Sequence, residues 1–399
     1  MVLGAAAIVI AVAVALVPSI NRTRLQTTDF VHFYAAASIV LHGHGARLYD
    51  RETQDAAFQS ILGYRTNQYF LHPPFQAGAI APFALLSFEH AFVLWTLINV
   101  ALIGLLPLIV MPCVPLLARK PYLGLLAFCF PPMLIAFVLG QDAPLLPVVI
   151  GTSYLLMCRK KDVAAGLVLS IVAIKFQYLA ILLPLLLFSR KFRLLAGCAL
   201  GCICLAAVSA LVIGPSQIPT YFRFVHDFEI HSGYGSANPT LMVNLRGFLT
   251  GIGHSAHWQI FTLLGALLIL VLGLASSRFA RTPRKQGLAF ALYITSALLA
   301  APYAHFADMT MLLLAMLLAA DYVAALPNPG VSGKLIYLSG LSLFLGPVAL
   351  MLLGGHYWWN SRIYLMFPLI VLFWIVLALE LWQPAPDEFL PKTVPARTG

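Results

Sequence analysis

The chain has 399 residues, of which 61% are hydrophobic and 10% charged, against about 25% charged in soluble domains. That composition excludes a water-soluble fold and leaves lipid as the solvent for most of the surface. The net charge of +10 does not point to nucleic acid, because the basic residues sit in short clusters between apolar runs rather than in one stripe or tail.

A helix needs about 20 apolar residues to cross a bilayer. In chain order the sequence predicts spans near 2–20, 91–117, 122–139, 143–158, 163–174, 176–188, 194–213, 257–275, 287–300, 309–325, 335–354 and 363–382. The first has no basic stretch before it and reads as an uncleaved span rather than a signal peptide. The expectation is an all-α polytopic membrane protein of about 12 transmembrane helices, a single domain over residues 1–399. Residues 21–90 form a first long outer loop, 214–256 a second, and 383–399 a cytoplasmic tail. Within the first loop, residues 75–88 are apolar but few and follow Pro73-Pro74, so they read as a re-entrant or interfacial helix. The pair 163–174 and 176–188 is too short for two full crossings unless the bilayer thins or the tips are buried in protein. The cysteines, Cys113, Cys129, Cys158, Cys198, Cys202 and Cys204, all lie in or beside apolar runs, which favours packing over disulfides.

Charge sets the orientation. Arg119-Lys120, Arg159-Lys160-Lys161, Arg190-Lys191 with Arg193, and Arg278, Arg281, Arg284 and Lys285 are separated pairwise by two predicted spans, so all fall on one side. Short basic loops stay in the cytoplasm, and parity then puts both termini there, in a cell (inner) membrane. The opposite loops collect most of the remaining ionisable groups and other polar residues, among them Asp29, His32, Tyr34, His72, Gln141, Asp142, Lys175 and Gln177. Arg223, His226, Asp227, Arg246, His305, Asp308 and His356 follow later in the chain. A transporter more often places such groups at the bilayer midplane on broken helices. At the water boundary they suit an enzyme with one lipid and one hydrophilic substrate.

Each candidate also has a structural reading. Asp29, just after the first span, is either a general base or the N-cap of a helix over 30–41. Lys175, between two apolar half-spans, either snorkels or holds an anionic group. Gly140-Gln141-Asp142 joins two spans as a tight reversal, and His72 precedes the Pro pair. His305 and Asp308 share a helical face and either cap the helix or serve a site; two ligands do not make a metal centre, and no metal or cofactor is called for.

The order of these motifs resembles the GT-C membrane glycosyltransferases. The run Asp29-Phe30, Tyr34, Ala36, Gly43 and Leu48-Tyr49-Asp50 is similar to the opening of glycosyltransferase family 87. Pro73-Pro74, Pro82 with Trp95, Gly140-Gln141, Gly166 with Lys175, and Ala301-Pro302-Tyr303 through His305 to Asp308 follow in the same order, over about residues 25–310. The sequence departs at His72, where an aromatic is expected, and at Asp142, where Asn is expected. The resemblance implies a hexose, most often mannose, moved from a polyprenyl-phosphate sugar to a glycolipid or glycan acceptor on the extracytoplasmic face. Such a donor leaves as a weakly basic phosphate, so the reaction needs a base for the acceptor hydroxyl and cations for the phosphate. Asp29 is the expected base; Lys175, His305 and Arg246 are expected at the donor phosphate; Tyr34, His72, Gln141, Asp142, Gln177 and Asp308 are expected around the substrates. The alternatives are a transporter or flippase of a lipid-linked or anionic substrate, and a polysaccharide polymerase or ligase. The sequence shows no paired broken helices in corresponding halves. It also has no Gly-rich phosphate loop or Asp-x-Asp pair, which argues against a nucleotide-sugar donor.

Overall fold

The computed structural model describes residues 28–64, 69–230, 239–253, 257–280, 282–354 and 362–383. The expected first span at 2–20, His356 and nearly all of the C-terminal tail lie outside them. The described chain is helical: α1 Phe30–Leu41, α2 Arg51–Leu62, α3 Pro74–Ile80, α4 Phe88–Val110, α5 Pro115–Arg119, α6 Pro131–Leu139, α7 Leu145–Cys158, α8 Asp162–Leu169 and α9 Phe176–Phe188. The order continues with α10 Phe192–Ile213, α11 Ile218–Ile230, α12 Leu245–Gly251, α13 Trp258–Ser277, α14 Pro283–Ala300, α15 Leu312–Ala324, α16 Gly330–Gly354 and α17 Met366–Trp382.

Local chemistry sets many of these boundaries. Ser87 caps α4, Asn244 caps α12 and Thr282 caps α14, each side-chain oxygen accepting a first-turn N–H. Pro74 and Pro131 sit in first turns, where a missing N–H costs nothing.

Among the described residues, seven stretches are long and apolar enough to cross a membrane, or eight if the bent pair Pro121–Cys129 and Pro131–Leu139 is one span. The count of twelve is therefore not reached. The bent pair turns by 55°, and α7, with 14 residues, is about 21 Å long. Residues 75–88 do not cross either. They form the seven-residue α3 and a 3-10 turn, Ala81–Leu85, packed on α1 and α10.

The stretch Asp162–Phe188 counts as one apolar run of 27 residues, about 40 Å if straight. It is not straight. A 3-10 turn, Ser170–Lys175, leads to Lys175, whose backbone leaves helical geometry at φ −126°, ψ 71°. Val163 lies against Gly197 near the start of α10, whereas Phe75, beside Ile174 and His72, bonds Ser209 near its end. α8 and α10 thus start at the same level, and α9 must return from Lys175 to that level. The close approach needs small residues: a Cβ on Gly166 would stand 1.9 Å from the Leu194 carbonyl oxygen, and one on Gly197 2.1 Å from that of Val163.

The bundle has two distinct ends. At one, the Leu116 N–H bonds Asp321 at 2.6 Å, Arg284 reaches the Ala325 carbonyl, Lys285 donates to the Leu381 carbonyl at 3.0 Å, and Tyr154 touches Gly287. These contacts gather the basic loops around Arg119, Arg159 and Arg284. The other end carries the turn before α7, the break at Lys175 and the turn before α15. Over it lies a second apolar cluster, built from Phe30, Phe33, Leu48, Phe58, Phe70, Tyr221, Phe224 and Phe228. The main core surrounds α14, which packs on α9, α13, α15 and α17.

Candidate functional site

At the end away from the basic loops lies a cavity of about 350 Å³, lined by Asp29, His32, His72, Gln141, Lys175, Gln177, His305 and Asp308 on its polar side. Ile135, Leu139, Phe176, Leu241, Phe306 and Ile363 give it an apolar side. Polar residues as far apart in the chain as Asp29 and Asp308 meet here because three chain reversals converge at one level.

Asp29 directly precedes α1, yet its side chain makes no capping hydrogen bond. The cap reading therefore fails. The carboxylate lines the cavity instead, and its Oδ2 accepts from the Gln141 amide nitrogen. The reversal Gly140-Gln141-Asp142 delivers that amide. Gly140 ends α6 in the left-handed region at φ +66°, and a Cβ there would come 2.7 Å from Phe30 Cβ. Trp95 Nε1, from α4, donates to the Gly140 carbonyl at 2.9 Å, fixing the turn against α4. Burial pushes the Asp29 carboxyl above the usual carboxylate range; the Gln141 hydrogen bond and Lys175 oppose that only in part.

Lys175 is not a lone cation. Its Nζ lies 2.5 Å from Asp308 Oδ1 and 3.2 Å from Asp142 Oδ1, the latter an ion contact without hydrogen-bond alignment. All three residues are buried. The snorkelling reading is thereby excluded. Asp308 Oδ2 accepts from the His305 N–H at 2.9 Å, so this carboxylate caps its turn and holds Lys175 at once. Asp142 stands behind the cavity wall. Its Oδ2 accepts from Gln76 Nε2 at 2.8 Å and lies 3.5 Å from His72 Nδ1. Burial works to raise the Asp142 carboxyl, but Lys175 and His72 outweigh it and hold it below the usual range. His72 also contacts the Ile174 carbonyl through Nδ1 at 3.3 Å, so a proton on Nδ1 serves both acceptors and leaves Nε2 a bare acceptor. Burial lowers His72 and His305 from the ordinary imidazole value and takes His32 to about 3. With its imidazoles neutral, the network sets two buried carboxylates against one ammonium.

Some expected residues stand elsewhere. Tyr34 is not part of the cavity wall; its hydroxyl donates to the Leu86 carbonyl at 2.7 Å. Arg246 is buried one layer back, its guanidinium 4.9 Å from the ring centre of Tyr303, which does line the cavity. Arg223, His226 and Asp227 lie on the exposed face of α11, while Val225 and Phe228 of that helix face the cavity. Gln76 was not anticipated, although it carried a signal, since it is polar inside the apolar run after Pro73-Pro74. Tyr303 belongs to the motif Ala301-Pro302-Tyr303 but was given no role in the site.

Fold and site define a polytopic α-helical membrane protein with a carboxylate- and imidazole-lined cavity at one end of an apolar bundle. The family model for glycosyltransferase family 87 matches residues 70–302, more than half of the chain, and the chain belongs to that family of membrane glycosyltransferases. The matched stretch carries His72, Gln141, Asp142, Lys175, Gln177 and Arg246; Asp29, His305 and Asp308 flank it. No curated protein and no solved structure matches the chain.

Proposed function

We propose that the protein transfers a hexose, most often mannose, from a polyprenyl-phosphate sugar to a glycolipid or glycan acceptor. The reaction takes place at the extracytoplasmic face of the cell (inner) membrane, with both termini in the cytoplasm. The observation that carries the reading is the Asp29 carboxylate: it is relieved of capping, open to the cavity and raised in proton affinity by burial. Asp29 takes the proton of the acceptor hydroxyl, and the acceptor oxygen attacks the anomeric carbon as the bond to the phosphate oxygen breaks. Configuration inverts, because one base acts and no covalent nucleophile intervenes. The departing polyprenyl phosphate is met by His305 and by the N–H of Lys175 that neither aspartate occupies, with Arg246 behind Tyr303 adding positive potential. Gln177 and His72 border the sugar, and Asp142 and Asp308 hold Lys175 in place. The apolar side of the cavity suits the first units of the lipid chain.

The test incubates purified protein with a panel of polyprenyl-phosphate sugars and follows release of polyprenyl phosphate. Release from one sugar, lost in Asp29→Asn, supports the reading. No release from any member, with the acceptor mixture of the native membrane present, refutes it.

A further inference from the structure

Gln141 directs its amide nitrogen at Asp29 Oδ2. Its backbone N–H closes on the Ala136 carbonyl at 2.8 Å, so the peptide that presents the side chain is fixed by the end of α6. The turn is pinned twice more, to α1 by Gly140 against Phe30 and to α4 by Trp95 on the Gly140 carbonyl. The Phe30 ring is itself held between Phe88, Phe92 and Trp95, at centroid distances of 5.7–6.0 Å. Residue 141 and residue 29 therefore face each other through a rigid aromatic contact, although 112 positions separate them. Asp29 has no capping bond to fix its rotamer. An amide does not titrate, so it supplies the same donor at every working pH.

We propose that Gln141 is a positioning residue for Asp29, its amide clamping Oδ2 so that Oδ1 faces the acceptor hydroxyl, and that this clamp sets the pH at which the base becomes active. Gln141 thereby acts through Asp29 rather than by holding sugar. The inference rests on the reading of Asp29 as general base. The charged and titratable groups facing Asp29 from the neighbouring elements are Asp142, in the same turn as Gln141, and Lys175, at the head of α9. His32 on α1 and His72 before α3 stand next to these. All of them remain in a Gln141 variant.

Two measurements on full-length detergent-solubilised protein test it. The first is a difference-infrared titration of the protonated carboxyl band that Asp29→Asn removes, which needs no substrate. The second is the pH profile of kcat/KM with a polyprenyl-phosphate hexose. A base must be ionised, so the rate falls as pH falls through the carboxyl's titration. A hydrogen bond to a carboxylate favours the ionised form, so Gln141→Leu should move both titrations up by about one to two pH units. Gln141→Glu places a carboxyl against a carboxyl and should move them up as well. At pH values above the shifted limb, Gln141→Leu should still lose rate because the rotamer is free, with KM for the acceptor nearly unchanged.

An unmoved infrared titration in both variants overturns the clamp, as does a raised acceptor KM with the acid limb unmoved. If neither variant folds, the contact is architectural and the proposal also falls. Wild-type protein that titrates as described but turns over no polyprenyl-phosphate sugar overturns the transferase reading instead. A shift in the variants then still shows that Gln141 tunes Asp29.

Discussion

Replacing Lys175 with methionine keeps the length and much of the volume of the side chain and removes the only charge between Asp142 and Asp308. In the native protein the ammonium lies 2.5 Å from one carboxylate and 3.2 Å from the other. At an effective dielectric of about 20, each contact is an attraction of about 5–7 kcal/mol before desolvation is counted. Desolvation cancels much of that, so the net worth of the intact triad is small. Removing the cation is different, because the burial cost stays while the attraction goes, and such changes cost about 3–5 kcal/mol. The escape route is to protonate one carboxyl, and lifting it from about 3.9 to 7 costs about 4 kcal/mol at neutral pH, which lands in the same range. Thermal or denaturant unfolding in detergent, followed by tryptophan fluorescence, should therefore show Lys175→Met destabilised by about 3–5 kcal/mol at pH 7. The pH dependence gives the decisive check. The Asp142 carboxyl is held below its usual range, so its contribution is complete above the unfolded value of about 3.9 and is lost as pH falls through the lower folded value. In the variant the Asp142 carboxyl takes up a proton as pH drops and stops being an unpaired charge. The gap between variant and wild type should shrink between pH 7 and pH 4, and Asp142→Asn in the same chain should recover part of it. A loss that is equal at both pH values would mean that only packing was damaged. No loss at pH 7 would refute the reasoning outright.

Asp29→Asn should leave folding and donor binding intact, because Asp29 makes no cap bond, and should lower turnover about 10²–10⁴-fold; single-turnover kinetics beside a donor-binding assay separate the two. The acid limb of the wild-type kcat/KM profile should fall above the ordinary aspartate value of about 3.9, since burial raises this carboxyl. Gly140→Ala forces a non-glycine residue to φ +66° and a Cβ into Phe30 and Phe92. Conformation alone costs about 1–2 kcal/mol, so a lower melting temperature together with lost turnover is expected, and a fully active variant would show that the turn does not position Gln141. For topology, cysteines placed at 29 and 305 should react with an impermeant reagent added outside intact cells, while one at 160 should be protected; the reverse pattern would invert the orientation.

Much of the site was readable before any coordinates. The first-loop aspartate, the Gly140-Gln141-Asp142 reversal, Lys175 and the His305–Asp308 pair are ionisable or turn-forming residues where an apolar chain has least use for them, and seven of the ten candidate site residues line one cavity. What failed did so for specific reasons. Tyr34 lies on the helix that Asp29 precedes, but five residues at helical spacing turn it about 140° away, toward Leu86. Arg246, expected at the donor phosphate as a cation, stacks on Tyr303 one layer behind the wall. The count of twelve spans is not confirmed: among the described residues seven or eight stretches are long and apolar enough, and the expected span at 2–20 lies outside them.

The sequence by itself determined the solvent and the residue types of the candidate site. An apolar excess this large requires lipid, basic clusters at two-span intervals require the chain to double back, and the remaining ionisable residues, costly in that setting, single out the candidate site. Only the tertiary structure decided how those residues are used. Whether Asp29 caps or stays open depends on the N–H groups within its reach. Whether Lys175 binds an external anion or ties two aspartates together depends on Asp142 and Asp308, 33 and 133 residues away in sequence. Such pairings are set by which reversals reach the same level of the bundle. That level follows from close helix approach at Gly166 and Gly197 and from the aromatic contact of Phe30 with Gly140, and a periodicity read along one segment does not contain it.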